Sequence, residues 1–333
     1  MTPNAFPARH ALTDAERRVI VEAVRAAPDG GDAAASVRLL SRGLLERLRE
    51  MMTDPAVDAL LVSGLPLADG PKAVLAPDEL DQVLLAAGCA LGTPMAWPAY
   101  QAGAFVQDVR PTASDVGKQL GTGSRRSLEL HTEAAFDPLS PDWILLAAVR
   151  NPRSVPTVIA TVSALGEAVR DVLPLFEDRY AFPHVEHLRE VLPPDVAATL
   201  TVDGVRAEWI PRPVLTGERD HPEMDFDRYY FDDPDDPSAK HCLDRLEATL
   251  VDAAVEVPLR PGDVLAFDNR RVAHGRPAFI PTFDDTDRWL KRVCVLRAPA
   301  KLRLVSEAGG DARCLLLGTP IDLSLGAGEG VSQ

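Results

Sequence analysis

A histidine and a glutamate separated by a single residue, in Leu128-Glu129-Leu130-His131-Thr132-Glu133, read as the first half of a metal site. Side chains alternate with period two along an extended chain, so His131 and Glu133 project to one face. The second half lies far downstream, where Gly262-Asp263-Val264-Leu265-Ala266-Phe267-Asp268-Asn269 is followed by His274-Gly275-Arg276. Two histidines and one carboxylate occupy one face of an octahedral Fe(II) and leave the opposite positions for substrate and O2. Arg288 and Arg292 follow on what reads as the next strand, 287–293, and a spacing of four along a strand returns a side chain to the same face. His-x-Glu, a distant His, then Arg is the order expected of an oxygenase that uses iron and 2-oxoglutarate.

The chain has seven histidines, so the ligand choice can be checked by elimination. His10 falls in an N-terminal tail. His184 and His187 are three apart and could share a helix face, but no motif surrounds them and a surface or loop role is expected. His221 and His241 flank an acidic run and read as polar loop residues. His131 and His274 remain, each in a strand context.

Four ordered blocks then make the pattern specific. Gly121-Thr122-Gly123-Ser124 precedes the first ligand strand, and Pro141-Asp142-Trp143-Ile144-Leu145-Leu146 follows it. The Gly262–Arg276 block and Asp287-Arg288-Trp289-Leu290-Lys291-Arg292 complete the set. Over residues 101–297 the chain resembles the clavaminate synthase-like branch of the taurine dioxygenase superfamily, whose members include oxygenases of free asparagine and arginine. The resemblance implies a mixed α and β fold: a double-stranded β-helix (jelly roll) core with flanking helices. It implies Fe(II) held by His131, Glu133 and His274, and 2-oxoglutarate as co-substrate. Arg288 is the implied anchor for the far carboxylate, with the Thr157 hydroxyl beside it; a planar guanidinium pairs bidentately with carboxylate. Arg292 suits either the substrate's carboxylate or the co-substrate's, and the sequence does not decide which. Glu133 at the carboxylate position implies hydroxylation or desaturation rather than halogenation, and Thr132 should point away from the metal and pack.

The substrate is expected to be a free L-amino acid. Asp225-Phe226-Asp227 places two carboxylates on one face if extended, and in the arginine oxygenases of this branch such a pair clasps the guanidinium. Two carboxylates in a closed pocket repel unless a cation lies between them. A basic or guanidino substrate follows, hydroxylated at C3, in specialised-metabolite (antibiotic) biosynthesis. Gln101 and Ser124 match family positions that hydrogen-bond the amino acid. The other readings are the same chemistry on a neutral amino acid such as asparagine or citrulline, a multi-step clavaminate-type oxidation, a non-catalytic jelly-roll binding module, and a hydrolytic zinc site. A binding module does not need this triad with its arginines, and zinc usually takes three or four protein ligands without an anchor for a 2-oxo acid.

Composition is compatible with this. A net charge of −15 over 333 residues argues against nucleic acid, whose backbone demands cationic contacts. It does not favour an anionic membrane, and no apolar run approaches a transmembrane span or a signal peptide. A cytoplasmic protein is expected; oligomeric state is not legible. Cys89, Cys242, Cys294 and Cys314 are widely spaced, which reads as buried small hydrophobes rather than disulfides or a zinc knuckle.

The elements that must position the site can be read coarsely. Thr13-Asp14-Ala15-Glu16 is a capping box opening a helix. Further helices are expected over 35–52, 77–91, 163–173 and 241–254. Strands are expected over 58–63, 104–109, 128–133, 143–149, 158–162, 264–267 and 293–297, and short strands between Gly/Pro turns indicate a sandwich or jelly roll. The run Phe231-Asp232-Asp233-Pro234-Asp235-Asp236-Pro237 is a loop, because its prolines and like charges exclude regular structure. One domain is expected: 1–95 mainly helical, 96–300 the jelly-roll core with a lid at about 216–240, and 301–333 a C-terminal extension.

Overall fold

The computed structural model describes residues 6–26, 40–54, 56–67, 75–97, 100–135, 137, 140–165, 172–181, 201–202, 205–206, 211–229, 233–284, 286–297 and 315–316. His184, His187 and Cys314 lie outside the described residues, as do parts of the expected helices over 35–52 and 163–173.

The chain opens with a strand, Ala8–Ala11 (β1), and a helix, Asp14–Ala26 (α1). The capping box forms: Glu16 N–H donates to Thr13 Oγ1 and Thr13 N–H donates to Glu16 Oε2. His10 is therefore not in a tail. It sits in β1, which pairs in parallel with Ala59–Ser63 (β2), and its Nε2 lies 3.0 Å from Glu16 Oε1. Helices Arg42–Thr53 (α2) and Pro77–Leu91 (α3) follow, the latter with proline at its start, where no N–H is needed. Then come Thr93–Ala96 (β3), Gln107–Val109 (β4), Leu128–His131 (β5), Trp143–Arg150 (β6) and Thr157–Thr161 (β7). Two short strands, Thr201–Val202 (β8) and Val205–Arg206 (β9), pair with each other, as do Leu215–Glu218 (β10) and His221–Met224 (β11). Helix Pro237–Asp252 (α4) leads into Val255–Val257 (β12), Val264–Asp268 (β13), Val272–Arg276 (β14), Trp289–Leu296 (β15) and Leu315–Leu316 (β16).

Two sheets result. The larger runs β1-β2-β13-β6-β15-β3-β16 with β4 also on β15; the smaller runs β12-β7-β14-β5. Their faces follow from alternation. Trp143, Leu145 and Ala147 of β6, with Val264 and Ala266 of β13, pack under α1, α2 and α3 in one apolar cluster. Ile144, Leu146, Leu265 and Phe267, one residue out of phase, meet Ile159 of β7 and Val272 of β14 in a second cluster between the sheets. A third cluster lies on the far side of the smaller sheet, where Ala160 and Ala273 pack with Leu243, Leu246 and Leu250 of α4. On β15 Leu290 and Cys294 belong to the inter-sheet face, so period two puts Arg288 and Arg292 on that face too.

Some expectations change. Residues 162–164 and 173–176 form 3-10 turns rather than the ends of one helix. Helix α4 starts at Pro237, capped by Asp236 accepting from Ser238 N–H, so His241 is helical; His221 opens β11. The acidic run is irregular over 233–236, as expected. Cys242 and Cys294 are buried and Cys89 is half-buried, all free thiols. No helix among the described residues is long and apolar enough to cross a membrane.

Candidate active site

His131 ends β5 and its direct cross-strand partner on β14 is His274. Paired residues project from the same side of a sheet; here the two rings lie 4.3 Å apart between centroids. Glu133 comes next on the same side, its Oε2 3.9 Å from His131 Nε2 and 3.8 Å from His274 Nε2. The ligand atoms of all three residues lie within 4.8 Å of one another. His131 Nδ1 is 2.8 Å from the Glu129 carbonyl, a contact that turns Nε2 toward the site. Burial, then the neighbouring His131, pushes the pKa of His274 well below its usual value, which keeps the imidazole neutral. Two imidazoles and a carboxylate converging on one point suit Fe(II).

The strands meet this closely because of Gly275. A Cβ there would lie 2.6 Å from the Leu128 carbonyl oxygen, and the β5–β14 register shifts between His274 and Arg276. Arg276 then turns back to donate to the carbonyls of Gly123, Ser124 and Arg126, which ties the Gly121–Ser124 loop to β14. Burial brings its pKa down to about 10.

Arg288 is a deeply buried charge. It is 7 % exposed, and its Nη2 donates to Thr157 Oγ1 at 3.0 Å. Its Nε is buried with no hydrogen-bond partner, and among the described residues no carboxylate pairs with it. Burial, then the like charge of Arg276, pushes its pKa down to about 9. A buried guanidinium without an acid is costly. A dicarboxylate's far end supplies the missing partner, so the residues present fit 2-oxoglutarate.

Arg292 is placed differently. Its Nη1 lies 2.7 Å from Glu133 Oε2, while Nε and Nη2 both donate to Gln107 Oε1. Burial opposes the charge of Arg292, but the Glu133 carboxylate outweighs burial and raises the pKa. Gln107, which the sequence did not single out, is 1 % exposed and joins β4 to this arginine.

The carboxylate ligand is also held from behind. Asn269 Oδ1 accepts from Glu133 N–H at 2.8 Å, and its Nδ2 donates to the carbonyls of Glu133 and Pro141. One buried carboxamide thus grips both polar groups of the Glu133 backbone. The Asp268-Asn269 pair in the sequence block was the available signal.

The expected substrate residues are spread around this centre. Asp227 forms an antiparallel bridge with His131, so its side chain shares the histidine's face. It is 9 % exposed, and its Oδ1 accepts from Tyr229 N–H. Asp225, two residues earlier, is paired with Arg270 at 2.7 and 3.3 Å. Thr132 packs, bonding the Phe226 backbone in both directions, and so fastens 225–227 to β5. Ser124 is fully buried, and its Oγ has no hydrogen-bond partner among the described residues. Gln101, at φ 47°, bonds the backbone of Asp108 through both ends of its carboxamide, which shapes the 101–108 loop.

Comparison with known proteins agrees with this geometry. Residues 182–294 match the model of the "Taurine catabolism dioxygenase TauD, TfdA family". The chain is 29% identical to the enduracididine beta-hydroxylase of Streptomyces hygroscopicus, over 79% of this chain and 84% of that one. It is 32% identical to the L-ornithine/L-arginine 3-hydroxylase of Catenulispora acidiphila, over 66% and 67%. Among solved structures it is similar to the non-heme iron oxygenase OrfP in complex with Fe, succinate and (3S)-hydroxy-L-Arg. That match has a TM-score of 0.74 and 31% identity, over 92% of this chain and 98% of the other.

Proposed function

We infer the reaction from kinship: the chain belongs to the TauD, TfdA family of Fe(II)- and 2-oxoglutarate-dependent oxygenases, in its clavaminate synthase-like branch, and hydroxylates a free basic or guanidino L-amino acid. The observation that carries this reading is the Arg288–Thr157 pair, with no acid paired to Arg288 among the described residues, in the same inter-sheet space as His131, Glu133 and His274. Held by that triad, Fe(II) would activate O2, the oxidant that takes one oxygen atom into succinate as 2-oxoglutarate loses CO2 and places the other at an unactivated C–H bond.

The chain's own residues do the positioning. Arg288 fixes the far carboxylate of 2-oxoglutarate through its planar fork, with Thr157 orienting that fork. Asn269 and Arg292 hold Glu133, so the carboxylate does not have to reorganise when the metal is loaded. The apolar inter-sheet cluster keeps water from the reacting groups. The acidic segment 225–227, bridged to His131, receives the cationic end of the substrate. With that end held there, the α-end of the substrate would face His131, Glu133 and His274, which supports hydroxylation at C3. The 3-hydroxylated arginine bound to OrfP is consistent with that position.

Two facing sheets, antiparallel apart from the β1–β2 pair, with His131 and His274 side by side on the smaller one, support a double-stranded β-helix in one oxygenase domain. The β10–β11 hairpin runs directly into Asp225–Asp227, which supports a lid at about 216–240. We place the protein in the cytoplasm, where reduced iron and 2-oxoglutarate are available.

Anaerobic titration with Fe(II) and 2-oxoglutarate tests the centre. The chelate should give a visible charge-transfer band, and His131→Ala should abolish both the band and succinate formation. Retention of both by the variant overturns the metal assignment. A panel of free amino acids, scored by succinate and by a mass gain of one oxygen, tests the substrate. Turnover confined to neutral or acidic members overturns the basic class.

A further inference from the structure

The turn between β13 and β14, residues 268–271, contacts several parts of the fold at once. Asn269 reaches Glu133, while Arg271 reaches Asp58, the residue before β2. Arg271 Nε lies 3.1 Å from Asp58 Oδ1, and Arg271 Nη2 donates to Ser163 Oγ at 2.7 Å. The Thr161 hydroxyl donates to the other oxygen of the same carboxylate, Asp58 Oδ2. The side chains of Arg271 and Asp58 are 11% and 3% exposed, a buried charge pair that no step of the proposed reaction uses. β2 of the larger sheet, β7 of the smaller and the turn leading into β14 meet at it. The backbone holds the same turn. Asp268 N–H donates to the Asp58 carbonyl at 2.9 Å, Asn269 N–H to that of Asp142 at 2.8 Å, and Val162 N–H to that of Arg271 at 2.8 Å. Residue 58 thus grips the Asp268 end with its main chain and the Arg271 end with its side chain, and Asn269 sits between the two.

We propose that Asp58 is a positioning residue for the metal centre: oriented by Thr161, its carboxylate fixes Arg271, and with it the turn from which Asn269 grips Glu133. This deepens the proposed function and rests on it, since the site it serves is that reading's metal site. A buried ion pair adds little net stability once desolvation is counted, but it demands one direction of approach. Without the Asp58 carboxylate the guanidinium re-seats, and the turn shifts with it. A small shift of Asn269 loosens its bonds to the Glu133 N–H and carbonyl, because hydrogen bonds weaken steeply as they bend. The carboxylate ligand then has to be oriented by the metal itself.

The test is metal binding, read with Mn(II) in the absence of oxygen. Asp58→Ala should weaken Mn(II) binding about 10-fold, within the range for outer-sphere partners of metal ligands. The Fe(II) concentration for half-maximal succinate formation should rise in step, while kcat at saturating Fe(II) stays within about 3-fold of wild type. A purely architectural role predicts a lower Tm with unchanged Mn(II) affinity, and that result overturns the proposal. Val21→Ala, in the helical layer on the other face of the larger sheet, lowers Tm through a cavity and should leave Mn(II) affinity as it was. A loss there equal to that of Asp58→Ala would trace the effect to destabilisation in general, and the assignment would fall. The route is tested by a double-mutant cycle. On an Asn269→Ala background, Asp58→Ala should cost less than about 2-fold more in Mn(II) affinity, because the grip is already gone. A full additive loss refutes the path through Asn269. Should Asp58→Ala fail to fold, Asp58→Asn keeps the shape and an acceptor for Thr161 but gives up the charge-assisted bond to Arg271, and should weaken Mn(II) binding by about 3-fold or more. Wild-type affinity in that variant refutes the proposal. Equal Mn(II) binding by wild type and His131→Ala would instead refute the metal site on which it rests.

Discussion

Arg288 and Asn269 show how single residues carry the site in different ways. Arg288 is a buried cation with no acid paired to it among the described residues, so under the proposed function its replacement should be read in co-substrate binding. Arg288→Lys keeps a cation but loses the planar fork and the Thr157 contact. It should weaken 2-oxoglutarate binding by about 1–3 kcal/mol, the range for hydrogen bonds to charged groups. Steady-state kinetics should therefore show a higher KM for 2-oxoglutarate with the amino acid's KM little changed; an unaltered dependence would move the anchoring role to Arg292. Asn269 touches neither ligand. It holds the backbone of Glu133, and Asn269→Ala removes three hydrogen bonds from a residue that is 1 % exposed. Outer-sphere partners of metal ligands typically contribute about 10–100-fold to metal affinity. Mn(II) binding should weaken on that scale in the alanine variant, and an unchanged affinity would reduce Asn269 to a fold-only role. The ligands were legible in the sequence because His-x-Glu carries its own geometry; the grip on Glu133 was not, since it joins residues 136 positions apart.

At the scale of elements, the site depends on how closely β14 and β5 approach, and Gly275 sets that distance. Gly275→Ala would put a methyl 2.6 Å from the Leu128 carbonyl and 3.1 Å from that of Glu129, both backbone atoms that cannot swing aside. The strand carrying His131 must then move. Overpacking of this kind costs about 1–3 kcal/mol, and here the displacement also separates the two histidines. Thermal denaturation should show a lower Tm and metal titration a weaker site. Gly117→Ala, where an added Cβ meets nothing within 4 Å, should alter neither. The long strands and α3 were readable from periodicity and capping. Missed were β1, β3, β8 to β12 and β16, short segments whose partners rather than whose patterns make them strands. β1 reads as tail until β2 pairs with it, and β14 is legible around His274 from its motif block rather than from any alternation of apolar residues.

Across the whole molecule, the two ligand classes join different parts of the fold. All three metal ligands belong to the smaller sheet or its immediate continuation: His131 and His274 on β5 and β14, and Glu133 just beyond β5. Arg288 instead precedes β15 of the larger sheet, while its partner Thr157 opens β7 of the smaller. Metal alone therefore cross-links one sheet internally, whereas a 2-oxo acid chelated at the metal and held by Arg288 spans both. A ligand that binds only the folded state stabilises it by RT ln(1 + [L]/Kd), about 2.7 kcal/mol at a hundredfold excess over Kd. Mn(II), used without oxygen, should raise Tm, and 2-oxoglutarate added to the Mn(II)-loaded protein should raise it again. His274→Ala should lose both increments, because the chelate has nowhere to form. Arg288→Lys should retain the first and shrink the second. A second increment that survives Arg288→Lys intact would mean that the co-substrate is held within the smaller sheet alone, and the bridging role assigned to Arg288 would fall.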